Sequence, residues 1–324
     1  MNDRVDVHSL HDRDAWIAAH RDCGLPTQSW HYARALSASG VEPKLAVVDA
    51  DGARMLLPFF EREWRGSIDI ASLIGSSASI TPGNAAPLAL WHEYAADRGW
   101  VAGYMQMSTT TDLRENDVAG ELIDINEWFE LDIERENLQR TFSETVRQKI
   151  KAADISAVSL VEDRTRLTDS LIELFPVLMA RLGARSRYQF APETLNEWAN
   201  APSALLLGAD LGTGIEAVSL FLVHRDQAEY QLNACSERGR DLAAWLIWNA
   251  IVRLQALGVR TLHLGGGVRR GDGLYQFKQK FHGMAIPLRA VRQIYHPAKY
   301  QQLCAEAGRT FAGDWFPAYR SPVD

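Results

Sequence analysis

Cysteine is scarce in this chain of 324 residues, and the three that occur, Cys23, Cys235 and Cys304, stand far apart in the sequence. None forms a CxxC pair or a Cys/His cluster at the spacing of metal ligands, so the sequence indicates neither a disulfide framework nor a zinc site. The histidines show no HExxH spacing. We therefore expect reduced thiols and no bound metal.

Long apolar runs and an excess of positive charge are lacking as well. No apolar run approaches the ~20 residues that a membrane-spanning helix needs. Residues 1–10 are polar and carry no apolar stretch of signal-peptide type. The formal net charge is −7, whereas a dedicated nucleic-acid coat is normally basic. These absences predict a cytoplasmic protein with no membrane span and no DNA partner.

The second half of the chain has the clearer pattern of hydrophobic residues. Apolar residues at helical spacing predict a helix that ends near Gly183, and an almost continuous apolar run at 217–224 predicts a strand covered on both faces. The predicted strands are 157–161, 204–211, 217–224, 228–234, 259–264 and 286–294, and the predicted helices are 171–182, 192–198, 240–257, 274–282 and 297–308.

The first half repeats this order of elements without recognisable residue identity. Two strands flank an Asp51-Gly52 turn, which is a strong hairpin signal. The predicted strands are 5–8, 44–50, 55–61, 67–74 and 100–107, and the predicted helices are 14–20, 30–36 and 91–98. We therefore predict an α/β (α+β) protein of two tandem domains, residues 1–135 and 136–324, with mixed sheets flanked by helices and a seam near residues 134–142.

The β-β-β-α-β order resembles the Gcn5-related acetyltransferases. A more specific resemblance comes from TFSETVRQKIKAA, residues 141–153, and from LGGG followed by GLYQFKQKFHG, within residues 264–283. These stretches and the duplicated layout resemble the FemABX peptidyltransferases, in which two acetyltransferase-like domains are fused. The resemblance implies transfer of an acyl group, often an aminoacyl group from charged tRNA, onto an amine, with acyl-CoA as the donor of some members. The long antiparallel helical arm of some cell-wall members is absent.

The turn at residues 236–241, before the long helix, is a candidate anion site. A helix N-terminus offers free N–H groups to a pyrophosphate, and Arg238 and Arg240 add positive charge beside Gly239. The family's usual loop, Q/R-x-x-G-x-G/A, is not satisfied, because Asp241 stands where a second small residue is needed. The alternative interpretation is an ordinary polar turn.

The two stretches that carry the resemblance also supply candidate site residues. Arg147 and Lys151 are predicted to hold a diphosphate or the backbone of a donor, although a solvated helix face explains the same spacing. Tyr275 and Lys278 lie on a short segment that follows a strand, where functional groups commonly occur. Lys278 suits a phosphate or a developing negative charge, and a tyrosine suits an oxyanion.

The remaining candidates are single polar residues. Tyr230 and Asn233 are predicted on opposite faces of one strand, so that at most one of them enters a shared cleft. His263 is a candidate proton acceptor, with a satisfied core histidine as the alternative. Arg187 lies near a helix end, where it favours the helix dipole or an anionic substrate. No G-x-S-x-G elbow and no G-x-G-x-x-G helix start occur.

These features predict an N-acyltransferase whose groove lies in the second domain. An acceptor amine, small or peptidyl, attacks an activated acyl carbonyl directly, with acyl-CoA or charged tRNA as the donor and no tightly bound cofactor. Water or His263 takes the proton, and a backbone N–H or a tyrosine binds the oxyanion. The alternative from another class is a catalytically silent module that binds a phosphorylated or peptidyl ligand.

Overall fold

The computed structural model describes residues 3–82, 84–108, 113–156, 158–311 and 315–322, apart from the side chains of Asn116 and Arg187. The strands are β1 (Arg4–Ser9), β2 (Pro43–Ala50), β3 (Ala53–Trp64), β4 (Ser67–Ser72), β5 (Ser79–Thr81), β6 (Ala102–Met107), β7 (Glu121–Asp132), β8 (Ser159–Val161), β9 (Ala204–Asp210), β10 (Ile215–His224), β11 (Gln227–Cys235), β12 (Thr261–Gly265) and β13 (Met284–Ile294). The helices are α1 (Arg13–Arg21), α2 (Trp30–Ser37), α3 (Ala86–Asp97), α4 (Leu138–Thr141), α5 (Glu144–Ile155), α6 (Arg164–Arg181), α7 (Pro192–Ala199), α8 (Ala243–Ala256), α9 (Gly273–Gln279) and α10 (Pro297–Glu306).

The chain divides into two compact units. Unit 1 comprises the chain up to Ala33, Val41–Ile125 and the chain from Pro287 onwards, and unit 2 comprises Arg34–Gly40 and Asn126–Ile286. The units differ from the predicted division at residues 135 and 136 in three stretches. Residues 34–40 and 126–135 belong to unit 2, and the C-terminal stretch from Pro287 belongs to unit 1.

Unit 1 contains a mixed sheet in the order β1-β2-β3-β4-β6-β13, with β5 beside β3. The β4–β6 pair is parallel, and the other neighbouring strands are antiparallel. Its core includes Trp91 and Trp100, whose rings lie 5.5 Å apart. The last strand of this sheet, residues 289–294 of β13, comes from the C-terminal part of the chain and pairs with β6.

Unit 2 contains a sheet of the same design, in the order β8-β9-β10-β11-β12-β7. The β11–β12 pair is parallel, and the other neighbouring strands are antiparallel. Leu207 and Ala209 of β9 join a core with α8. Gly208, which points the other way, lies against Leu167 of α6, where an added Cβ would come within 2.2 Å of that side chain. Helices α8 and α6 therefore cover opposite faces of this sheet.

The duplicated order of elements is confirmed, because each unit contains a strand, two helices, an antiparallel three-strand run, a helix and a parallel partner strand. The first residue of the predicted strand 157–161, Ala157, lies outside the described residues. The long helix predicted to start at residue 240 begins at Ala243, because residues 236–242 form a turn in which the Leu242 N–H binds the Gly239 carbonyl.

Strand β7 was not predicted from the sequence, although it contributes core side chains to unit 2. Phe129, Leu131 and Ile133 alternate with polar residues and are buried in the unit 2 core. That period of two is typical of a strand with one buried face. The alternation was not used because the predicted boundary between the two domains, residues 134–142, lies directly after this segment.

None of the helices within the described residues is both long and apolar enough to cross a membrane. The three cysteines are free thiols, with Cys235 and Cys304 buried. In the part of the chain that the structure describes, no cluster of histidine, cysteine, aspartate or glutamate side chains is arranged to hold a metal ion.

Candidate active site in unit 2

The candidate site lies where the two parallel strands of unit 2 separate. Strands β11 and β12 pair only through residues 227–229 and 261–263. Beyond that point β11 continues beside β10, while β12 ends at Gly265. The side chains that follow the last pair on β11, beginning with Tyr230, therefore border a gap in the sheet on one side.

A β-bulge in β11 changes the face to which its polar side chains point. Ser219 of β10 is opposite Asn233, but Phe221 is opposite Tyr230, so that Gln231 is the extra residue. Tyr230 and Asn233 consequently share one face. Asn233 donates to the Ser219 hydroxyl at 3.0 Å, and Tyr230 also hydrogen-bonds Ser219. The prediction that the two residues point to opposite faces is wrong, because strict alternation does not survive a bulge.

Helix α9 brings Lys278 against Tyr230. The Asp272 side chain caps this helix by accepting from the Tyr275 backbone N–H at 2.8 Å. Lys278, one turn further on, is only 7% exposed, and its amine lies 5.7 Å from the centroid of the Tyr230 ring. No hydrogen bond from this amine to a described residue is found, and the Tyr230 ring and Gly265 are its neighbours.

The glycine-rich segment before α9 leaves room for the lysine. Gly265 has φ +70, and a Cβ added there would lie 3.1 Å from the Lys278 Nζ. A side chain at Gly265 would therefore be strained and would crowd the amine. Gly266 packs against the Glu127 carbonyl, and Gly267 packs against the Asp272 carboxylate. The LGGG stretch is thus explained by close packing.

Burial lowers the pKa of Lys278 to about 7, although the negative charge of Asp272 acts in the opposite direction. An amine with this pKa exists in both protonation states near neutral pH, whereas an exposed lysine stays charged. Such a group can give up a proton and take one back during a reaction cycle. Burial also raises the pKa of Tyr230, so this phenol stays protonated.

Tyr275 lies three residues before Lys278 on α9 and makes contact with β7. Its hydroxyl donates to the Glu127 carboxylate, and its ring meets Phe129 edge-on at 5.0 Å. The hydrogen bond to Glu127 raises the pKa of Tyr275. Arg270 forms an ion pair with the same carboxylate at 2.6 Å. Tyr275 and Lys278, both predicted site residues, therefore lie one turn apart on α9, and Tyr275 links this helix to Glu127.

His263 does not join this group. Its neighbours Leu262 and Leu264 lie in the unit 2 core with Tyr275, so His263 points to the other face of the sheet. There its Nδ1 lies 3.3 Å from the Glu130 carboxylate, and this nitrogen forms no hydrogen bond among the described residues. Burial lowers the pKa of His263 to about 4. The structure thus separates this candidate from Lys278.

The predicted anion site at residues 236–241 is occupied by the protein's own groups. Arg238 binds Glu216 at 2.9 Å, and the Ser236 hydroxyl donates to the other oxygen of that carboxylate at 2.5 Å. Gly239 packs against the Glu216 carbonyl, which a Cβ would approach to 2.0 Å. Arg240 is exposed, and Asp241 carries a negative charge just before α8. Arg238 and Asp241 are thus each paired with a side chain of opposite charge, and the anion site stays a prediction.

The predicted substrate-binding residues lie elsewhere on unit 2. The Arg147 guanidinium donates to the backbone carbonyls of Arg140 and Phe142, so it joins α4 to α5. Lys151 is exposed on α5. The Arg187 side chain lies outside the described residues, so its predicted role is left as a prediction. Neither Arg147 nor Lys151 contacts Lys278 among the described residues.

Sequence reasoning missed Glu127 and Asp272 as members of the site. Asp272 had a readable signal, because an aspartate three residues before Tyr275 at a glycine-bounded helix start is a typical N-cap. Glu127 had no local signal, since it lies 148 residues from Tyr275 in the sequence. Only pairing of β7 with β12 brings it close.

The two units together have the duplicated acetyltransferase fold of FemABX-type acyltransferases, and this prediction is confirmed. The crystal structure of FemX matches 92% of this chain and 99% of its own chain, with a TM-score of 0.67 and 13% identity. L-PGS from Bacillus licheniformis matches with a TM-score of 0.57 and 12% identity, over 87% of this chain and 91% of that one.

A third similar structure is the C-terminal domain of a putative lysylphosphatidylglycerol synthetase from Agrobacterium fabrum. It has a TM-score of 0.54 and 17% identity, and the match covers 77% of this chain and 84% of that one. At such identities the likeness shows the fold alone. No protein-family model matches the sequence, and no curated protein matches it significantly.

Proposed function

We propose that this protein is an N-acyltransferase that moves an acyl or aminoacyl group from an activated donor onto an amine, and that the reaction occurs beside Lys278 in unit 2. The observation that carries the proposal is the buried Lys278 amine, which lies without a hydrogen-bond partner among the described residues where two parallel strands separate. Burying an amine in this way is costly for stability, and functional sites are where such costs are commonly found.

In this mechanism the amine attacks the acyl carbonyl carbon directly. Positioning of the two substrates in the gap beside β11 lowers the entropic cost of the reaction. The protonated form of Lys278 stabilises the oxyanion and then gives its proton to the leaving oxygen or sulfur. A pKa of about 7 suits this step, because the group both donates and recovers a proton near neutral pH.

The donor is an aminoacyl-tRNA or an acyl-CoA. The turn at residues 236–241 favours the former, because Arg238 is neutralised by Glu216 and Asp241 stands before α8. The acceptor is a small-molecule or peptidyl amine, in line with the FemABX resemblance. We place the reaction in the cytoplasm, where both classes of donor are made.

The test is a transfer screen read by mass spectrometry. The protein is incubated with acyl-CoA species, and separately with charged tRNA, in the presence of amines that include amino acids and short peptides. We expect an acylated amine from wild type and from Lys280→Met, an exposed lysine at the end of α9, but none from Lys278→Met. Ligand-dependent thermal stabilisation without product would instead support the silent binding module.

A further inference from the structure

Glu127 occupies a distinct position on β7. Phe129 is the last residue of β7 paired with β12, and its side chain lies in the core with Tyr275. Glu127, two residues away, points to the same face. Glu130 points to the other face, towards His263. Of these two glutamates, only Glu127 shares a face with Tyr275 and Lys278.

The Glu127 carboxylate is held by groups from the segment before and within α9. One oxygen accepts from the Tyr275 hydroxyl, and the other accepts from Arg270 at 2.6 Å. The neighbouring Asn126 side chain binds the Gly267 carbonyl at 2.8 Å and caps the Glu127 N–H at 2.9 Å. The side chain is about one-fifth exposed, so protons can exchange with water.

We propose that Glu127 is the final acceptor of the proton lost by the attacking amine, and that the Tyr275 hydroxyl passes the proton to it. This inference rests on the proposed acyl transfer. It adds a residue that neither the sequence pattern nor the fold likeness assigns. Asp272 is unsuited to the role, because it accepts hydrogen bonds from the backbone N–H groups of Arg269 and Tyr275 as the cap of α9.

The amine lone pair forms the N–C bond with the acyl carbon, and the amine then loses one proton to the Tyr275 oxygen while the Tyr275 proton moves to Glu127. The C–O or C–S bond to the donor breaks with its electron pair, and the leaving atom takes a proton from Lys278. Glu127 releases its proton to water, and Lys278 regains one.

The matched variants are Glu127→Gln, Tyr275→Phe and the control Glu130→Gln, which lies on the same strand but on the other face. Each is assayed with the donor and amine that wild type converts in the screen above. We expect Glu127→Gln and Tyr275→Phe each to lower kcat about 100-fold. The double variant should be no slower than either single variant, because the two groups act as one unit. Glu130→Gln should keep wild-type kcat.

The pH profile separates proton transfer from a structural role. Because the relay needs a carboxylate that takes up a proton, we expect the acidic side of the kcat profile to differ between wild type and Glu127→Gln. A glutamine keeps an oxygen that accepts from Tyr275, so a merely structural role predicts the wild-type rate and the wild-type profile.

The outcomes are distinguishable. Wild-type turnover with an unchanged rate and profile in Glu127→Gln overturns the proton relay and leaves the proposed function standing. Failure of wild type to convert any donor in the screen overturns the proposed function and the relay together. Loss of rate in Glu127→Gln with an equal loss in Glu130→Gln also overturns the relay, because the effect then follows from disturbing β7.

Discussion

Each unit contains one parallel strand pair in an equivalent position, and the two units differ in the chain that follows this pair. In unit 1, β4 pairs with β6 at Ile70 and Ala71, and the chain then returns to β6, where Ala78 forms a bridge with Met107. In unit 2, no such return follows Glu229 within the described residues, and the turn before α8 leads the chain away. In unit 1, parallel pairing with β6 therefore starts again at Ala78. In unit 2, pairing between β11 and β12 ends at Glu229 and His263.

The polar groups beside the two pairs differ in the same way. In unit 1 the fully buried Gln28 side chain donates to the Ser77 carbonyl at 2.6 Å and to the Ser79 hydroxyl at 3.0 Å. Gln106 completes the group by donating to the Ser77 hydroxyl. In unit 2 the Lys278 amine lies 5.7 Å from the centroid of the Tyr230 ring and beside Gly265, with no hydrogen bond to a described residue. The hydrogen bonds of Gln28 and Gln106 hold the segment around Ser77 in place, and no comparable hydrogen bond holds the Lys278 amine.

The largest effect is expected from Lys278→Met, which tests whether the amine in unit 2 has a functional role. We expect kcat to fall about 1000-fold. We also expect the protein to become more stable, because the folded state no longer has to keep a lysine neutral. At pH 7 that cost is on the order of 4 kcal/mol. Activity assays and urea unfolding are the measurements, with Lys280→Met as the control. A Lys278→Met protein that is less stable than wild type contradicts the open-site interpretation.

The corresponding change in unit 1 is Gln28→Ala. It removes the side chain that binds Ser77 and Ser79 and leaves those buried groups without partners. We expect a loss of about 3 kcal/mol in the free energy of unfolding, with kcat unchanged. Gln301→Ala, on the exposed surface of α10, is the control in urea unfolding. A large fall in kcat in Gln28→Ala would assign a catalytic role to unit 1.

The pH dependence of stability tests whether Lys278 loses its charge in the folded protein. The pKa of Lys278 is about 7 in the folded state and near 10.5 in the unfolded state, so the unfolded state binds more protons between these values. The contribution of Lys278 to the free energy of unfolding should therefore increase from pH 7 to pH 9, by about 2 kcal/mol. The difference between wild type and Lys278→Met in urea unfolding should narrow over this range. A constant difference would mean that the lysine stays charged.

The smallest expected effect is that of Arg238→Ala. The Arg238–Glu216 pair is exposed on the arginine side, and exposed ion pairs contribute about 0.5 kcal/mol. Because the arginine is neutralised by Glu216, we expect donor KM to change less than twofold. Steady-state kinetics with increasing donor concentrations measure this effect. A tenfold rise in KM would restore Arg238 to the donor site as the sequence predicted.

The order of elements was accessible from the sequence because hydrophobic periodicity and glycine stops are local signals. Lys278 and Tyr275 were predicted for a similar reason, since they lie on a short segment bounded by glycines after a strand. The bulge at Gln231 was not accessible, because one extra residue in a strand leaves the composition of the strand unchanged. Because of this bulge, Tyr230 and Asn233 lie on the same face of β11.

The long-range features of the site were hidden for a different reason. Glu127 meets Tyr275 only through strand pairing between distant parts of the chain. His263 was a reasonable candidate by residue type, but its face depends on which neighbours are buried. The turn at residues 236–241 looked basic in sequence, and Glu216, which neutralises Arg238, lies on another strand.

The assignment of β13 to the first unit has a consequence for synthesis of the protein on the ribosome. The edge of β6 receives its partner only from residues 289–294, which are translated after nearly all the rest. One edge of β6 therefore stays unpaired during synthesis until residues 289–294 have been translated. Expression of residues 1–135 alone would leave that edge open to aggregation, so the gene should be kept whole in any recombinant work.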